Sequence, residues 1–173
     1  HFFRFWYAFG FANLSQLEDG DVEGVYEYLV RPALHEFASS VFEDVCREFV
    51  RELQKKNALP FRYARMGRWM GKTTVRDKNA ENGLRMAETE IDLLGISRDE
   101  KEYLVGECKF KHSPFAYAEY LDTKAKLTPQ KEKAKFYYAL FSESGFDDKI
   151  MAEAQGSESL CLYDLEAIVD FEK

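Results

Sequence analysis

The longest periodic stretch in the chain places Val41, Phe42, Val45, Cys46, Phe49, Val50 and Leu53 at the spacing of a single buried helical stripe, so the main helix is expected over roughly 40–53, with Ser39 or Ser40 as its cap. Upstream, residues 2–12 read as the end of a helix with an unusually aromatic face (Phe2, Phe3, Phe5, Trp6, Tyr7, Phe9 and Phe11). A polar turn is expected over 14–21 and a short helix over 22–30, with Arg31-Pro32 as a boundary because proline suits a helix's first turn and breaks its interior. After Pro60 the period shortens. Residues 61–70 read as a strand with Tyr63, Arg65, Gly67 and Trp69 on one face, and 71–82 as a mobile loop rich in Gly, Thr, Asp, Lys and Asn. Strands are expected over 90–95 and 103–110, joined by a hairpin at 97–102. A helix over 115–126, a strand over 135–141, a helix over 146–154 and a strand over 160–163 complete the order. Three meandering strands followed by helical crossovers predict an α/β chain of the α+β kind, a mixed sheet flanked by helices.

The chemistry concentrates on the second and third strands. Side chains two apart share a face, so Glu90 and Asp92 are expected to project together, as are Glu107 and Lys109. Carboxylates converging beside an ammonium suit metal-dependent phosphodiester hydrolysis, in which oxygens hold Mg²⁺ or Mn²⁺ and a cation attends the developing charge. An amphipathic hairpin with a wet, charged face would give the same pattern. Against it, these charges interrupt strands that are otherwise apolar, and 103–110 is nearly continuous in hydrophobicity, as in a central strand. Glu43 lies one turn from Arg47. The two form either an i,i+4 surface pair worth a few tenths of a kcal/mol or, in the sharper reading, a pair whose glutamate leans toward the hairpin.

Composition narrows the classes. With 173 residues, 46% hydrophobic and 32% charged, the chain is long enough for one domain with a sizeable core and belongs with globular rather than disordered chains. No apolar run approaches a membrane span, and the aromatic opening lacks a signal peptide's features. Cys46, Cys108 and Cys161 lack metal-ligand spacing and fit a reducing cytoplasm, and neither His35 nor His112 has the spacing of a zinc ligand. The start without Met, inside a dense aromatic run, suggests a piece of a longer protein. Net charge is −7, but it is unevenly distributed: 61–78 carries net +5 and 109–135 net +4, whereas 136–173 carries net −7. Basic segments flanking the hairpin would suit nucleic acid, whose affinity follows the local patch; a solvated helix face and loop would show the same charge.

The element order and the motifs Phe2-Phe3-Arg4-Phe5-Trp6-Tyr7, Val41-Phe42-Glu43-Asp44-Val45-Cys46-Arg47-Glu48, Gly67-Arg68-Trp69, Glu90-Ile91-Asp92, Gly106-Glu107-Cys108-Lys109 and Leu140-Phe141-Ser142-Glu143-Ser144-Gly145-Phe146 resemble the PD-(D/E)xK phosphodiesterase superfamily. More narrowly they resemble the C-terminal domain of unknown function of archaeal and bacterial AAA-type ATPases. The resemblance implies a restriction-endonuclease-like αβββαβ core over 35–173 and, over 1–34, a helical linker from an upstream ATPase and winged helix. It matches Asp92, Glu107 and Lys109 to the motif's catalytic residues, and Glu43 to an acidic residue on the first helix. The chain contains no GxxxxGK[ST] phosphate loop, so ATP is expected only in an upstream part. The helix after Lys109 departs from the pattern: it has no Gln-x-x-x-Tyr signature and offers only Tyr117, Tyr120 and Lys124.

The expected mechanism gives Mg²⁺ or Mn²⁺ the ligands Asp92, Glu107, the Cys108 carbonyl and Glu43, directly or through water. Lys109 orients or helps deprotonate the attacking water, and Arg65, Arg68, Lys72, Lys111 and Lys124 hold nucleic-acid phosphates. The competing reading is a nuclease-fold module without catalysis that docks DNA or protein and regulates its ATPase. A third is an interaction module that buries the N-terminal aromatics against a partner.

Overall fold

The computed structural model describes residues 2–76, 84–127 and 133–171. It divides into two compact units, His1–Asp44 and Val45–Lys173.

The first unit is helical throughout. Short α-helices α1 (Phe2–Phe5), α2 (Leu14–Glu18) and α3 (Val22–Val25) alternate with π-helical turns at Trp6–Gly10 and Tyr26–Val30 and a 3₁₀ turn at Phe11–Asn13. The polar turn expected at 14–21 is therefore largely α2. Its helix closes at Gly20, whose φ of +87° a residue with a side chain rarely adopts. Phe9, Val25 and Val30 form the unit's core, with Leu17, Ala33 and Phe37 packed on it. Helix α4 (Arg31–Lys55) continues directly from the π turn, so Pro32 falls in its first turn and interrupts nothing. The helix is nearly twice the expected span, and Ser40 is interior, its hydroxyl donating to the Phe37 carbonyl at 2.9 Å instead of capping.

The second unit takes the last part of α4 and a five-stranded sheet in the order β1-β2-β3-β4-β5. β1 (Arg65–Arg76), β2 (Leu84–Ile96) and β3 (Glu102–Lys109) run antiparallel, while β4 (Lys135–Ser142) and β5 (Leu160–Asp164) add in parallel to β3. Helices α5 (Tyr117–Ala125) and α6 (Asp148–Gln155) make the two crossovers, and α7 (Leu165–Asp170), absent from the sequence reading, follows β5. The mixed α+β sheet is as expected.

Two strand boundaries differ from expectation. β1 begins at Arg65 rather than Phe61 because Tyr63 spends its backbone on Gln54, donating to Oε1 at 2.9 Å and accepting from Nε2 at 3.4 Å. It then continues through Arg76, where a loop was expected, paired with β2 from Gly71↔Thr89 to Arg76↔Leu84; the rest of that loop, 77–82, lies outside the described residues. β3 reaches β2 only from Leu93↔Gly106 to Ile96↔Tyr103, so the far part of the β1–β2 hairpin is a two-stranded arm. The Ser97–Glu102 turn is as expected, closed by Ser97 N–H donating to the Glu102 carbonyl at 3.0 Å.

One sheet face is buried by Ile91, Tyr103, Val105, Tyr138 and Leu140 against Phe115, Tyr120 and Ile150 of the crossovers. On the other face Phe49 of α4 meets Phe141, Tyr163 and Phe171 edge-on at 4.9–6.2 Å. A strand covered on both faces reads as a continuous apolar run, which is why β3 and β4 were legible as strands.

Candidate active site

The candidate residues gather where β2 and β3 part. The register of β2 slips opposite Arg68, between Gly67↔Leu94 and Trp69↔Ile91, so Asp92 lies in a bulge. Bulges terminate pairing and re-aim side chains. The last β2–β3 pair is Leu93↔Gly106, and one step further the Asp92 carboxylate takes over as acceptor, its Oδ2 receiving Cys108 N–H at 2.8 Å. The Asp92 carbonyl accepts from Arg47 of α4 at 2.9 Å, so both ends of this residue are held. Arg68 engages the Glu90 carboxylate in an ion pair.

Glu107 and Lys109 share a face, as the two-residue period requires, and Lys109 Nζ donates to Glu107 Oε1 at 2.8 Å. Lys126, which follows α5, donates to the other oxygen, Oε2. The Glu107 side chain is only 9% exposed, so a carboxylate in this setting has to be paired. Burial alone would lower the Lys109 pKa, but hydrogen bonding and charge from Glu107, with the charges of Glu119 and Asp92, hold it above the ordinary lysine value. Lys109 is thus an ammonium held against Glu107, a donor and a cation. Glu119, on α5, accepts from Lys111 at 2.7 Å and from Ala116 N–H at 2.8 Å. Burial raises its pKa, yet these partners keep it net below the ordinary glutamate value.

The segment after β4 braces this end of β3. Glu143 N–H donates to the Lys109 carbonyl at 3.0 Å, Ser144 Oγ to the Lys111 carbonyl at 2.8 Å, and Phe115 N–H to the Gly145 carbonyl at 2.9 Å. Gly145 has φ +76°, which lets the chain turn there. The Ser-Glu-Ser-Gly-Phe motif thus fixes the Lys109–Phe115 segment. Ser142, opposite Lys109 in register, has a fully buried hydroxyl without a hydrogen-bond partner among the described residues.

The remaining site residues are spread out. Glu43, half-buried on α4, belongs to the first unit. Of the basic residues expected to hold phosphates, Arg65 pairs with Glu100 at 2.5 Å, Arg68 with Glu90, Lys111 with Glu119, and Lys124 with Glu153 at 3.4 Å. Lys72 lines an open cleft of about 450 Å³ along the hairpin arm, with Glu88 and Glu90 on the facing strand. Four of these five basic residues are thus paired with carboxylates. Sequence reading missed Lys126 and Glu119. Both arrive from a helix, and no spacing along the chain ties them to β3.

A relative from Methanocaldococcus jannaschii, an uncharacterized protein, is 31% identical over 113 residues, a match covering 64% of this chain and 21% of that protein. The aligned part is thus about a fifth of that relative's length. No solved structure matches the chain. A family model matches residues 6–125, which include β1 to β3 with Asp92, Glu107 and Lys109. The chain belongs to that family, DUF234, archaeal and bacterial proteins of unknown function.

Proposed function

We propose that the Val45–Lys173 unit is a restriction-endonuclease-like module for divalent-cation-dependent phosphodiester hydrolysis of nucleic acid, working as the C-terminal part of an AAA-type ATPase. The element order α4, β1, β2, β3, α5, β4 supports the fold reading, since it repeats the αβββαβ order the resemblance implies. One observation carries the chemistry: the Asp92 carboxylate lies on Cys108 N–H at the β2–β3 fork, one residue along β3 from the carboxylate of Glu107.

The donor set fits a hard cation. Asp92 and Glu107 offer carboxylate oxygens and Cys108 a carbonyl, the ligands Mg²⁺ and Mn²⁺ prefer. Glu107 also binds positive charge, with an ammonium on each oxygen. A divalent cation held by Asp92, Glu107 and the Cys108 carbonyl would contribute Lewis-acid stabilisation of charge on a phosphate. Lys109, an ammonium fixed on the same strand face, donates to a phosphate oxygen or orients the attacking water. Arg65 and Arg68 are 68% and 49% exposed, and such surface ion pairs are weak, so exchanging a glutamate for a backbone phosphate costs them little.

Asp92→Asn tests the reading. The amide oxygen keeps an acceptor for Cys108 N–H, so the thermal transition is expected to hold while Mn²⁺ binding falls at least tenfold and cleavage is lost. Undiminished cleavage in that variant would overturn the assignment.

A second reading, a nuclease-fold module that docks DNA or protein without catalysis, draws on the same pairs. Both Glu107 oxygens are neutralised by lysines, and four of the five candidate phosphate-binding residues meet carboxylates. Wild-type protein that binds nucleic acid but no Mn²⁺ would favour it.

A further inference from the structure

The two ammonium groups on Glu107 are held differently. Lys109 stands two residues along the same strand, and the strand's alternation keeps it beside Glu107. Lys126 comes from the end of α5, where its N–H donates to the Thr123 carbonyl at 3.2 Å, and among the described residues its ammonium meets Glu107. Its side chain is 20% exposed, so its four-carbon stem can carry the charge out to water while the backbone stays in place. The other lysine at this helix end, Lys124, turns instead to Glu153, so the contact with Glu107 is particular to Lys126.

A divalent cation on Glu107 would have to share a carboxylate whose two oxygens already carry Lys109 and Lys126. Two cations on one nearly buried carboxylate repel strongly, because little solvent lies between them to screen the charge. Without a metal, however, a Glu107 deprived of Lys126 would share one ammonium between two buried oxygens.

We propose that Lys126 is the resident counter-cation of this site: it occupies the metal's place on Glu107 in the metal-free protein and is expelled to solvent when Mg²⁺ or Mn²⁺ binds. The proposal rests on the metal reading above and adds a regulatory step, an exchange of one ammonium for one divalent cation. Metal affinity is thereby set below what the carboxylates alone would give.

Mn²⁺ titration calorimetry on the full chain tests it, with wild type, Lys126→Met, Lys126→Arg and Asp92→Asn compared. The expected result is at least tenfold tighter binding by Lys126→Met, wild-type-like affinity for Lys126→Arg, and loss in Asp92→Asn. Equal or weaker binding by Lys126→Met beside a wild type that binds would overturn the exchange and leave the metal site standing. Binding by neither protein would remove the metal reading and the exchange with it. Should Lys126→Met fail to fold, wild-type protein with ¹³C-dimethylated lysines supplies a second readout. The Lys126 signal is expected to move to a solvent-like position on Mg²⁺ addition; an unmoved signal while Mg²⁺ binds overturns the exchange.

Discussion

A methyl group on Gly106 would lie 2.8 Å from Leu93 Cβ across the β2–β3 pair, closer than two carbons can pack. That pair is the last before the fork that carries Asp92 and Glu107. Gly106→Ala is therefore expected to lower stability by about 1–3 kcal/mol, as overpacking does, and to disturb the Cys108 N–H to Asp92 bond. Denaturant unfolding measures the first effect and the Cys108 amide shift the second; a variant unchanged in both would show that the strands close there with room to spare. The shared face of Glu107 and Lys109 was legible because the two-residue period of a strand is written into the chain. The bulge at Asp92 was not, because a register slip lies between two strands and leaves no mark on either alone. Neither was the neutralisation of Arg65, Arg68, Lys111 and Lys124, since each partner is chosen by the fold.

Helix α6 owes its start to Asp147, whose Oδ1 accepts Ile150 N–H at 2.9 Å while Oδ2 accepts Tyr117 N–H of α5 at 2.6 Å. One carboxylate thus caps both crossovers. Asp147→Ala is expected to cost about 1–2 kcal/mol, a lost cap; a smaller loss by chemical denaturation would mean that water replaces it. The bond from Ile150 N–H, ahead of that from Tyr117, holds the Asp147 pKa below 3.8 in the folded chain. Its contribution is therefore complete above the unfolded value and fades as pH falls through the lower folded one. Wild type should lose this increment on acidification below 3.8, and Asp147→Asn, which keeps an acceptor without the charge, should not. Glu153 makes the next link, accepting from Tyr117 at 2.7 Å and Tyr120 at 3.0 Å. Glu153→Ala should cost about 1–3 kcal/mol by stranding the buried Tyr120 hydroxyl. At this scale the order and type of α4, the five strands and the two crossover helices were readable from periodicity. The boundaries were not, where a side chain such as Gln54 took backbone groups from a strand or the second strand of the hairpin arm carried β1 through a polar stretch.

The molecule's two units pose separate questions. In His1–Asp44, Phe2 and Phe3 are each 71% exposed and Tyr28 is 81% exposed, whereas Phe5 packs on Phe9 at 5.0 Å and on Phe37 at 5.8 Å. Rings this exposed are expected to drive concentration-dependent self-association, weakened by Phe2→Ala with Phe3→Ala; a single sedimentation species at high concentration in wild type would contradict it. Phe5→Ala is a poorer probe because it also opens the unit's own aromatic cluster. No described helix is long and apolar enough to cross a membrane. For Val45–Lys173 the central claim is a cation site at the β2–β3 fork, and calorimetric titration of Mn²⁺ into wild type and Asp92→Asn tests it most directly. The expected result is saturable binding by wild type that Asp92→Asn loses while keeping its thermal transition. Equal binding by both, or binding by neither, would contradict it.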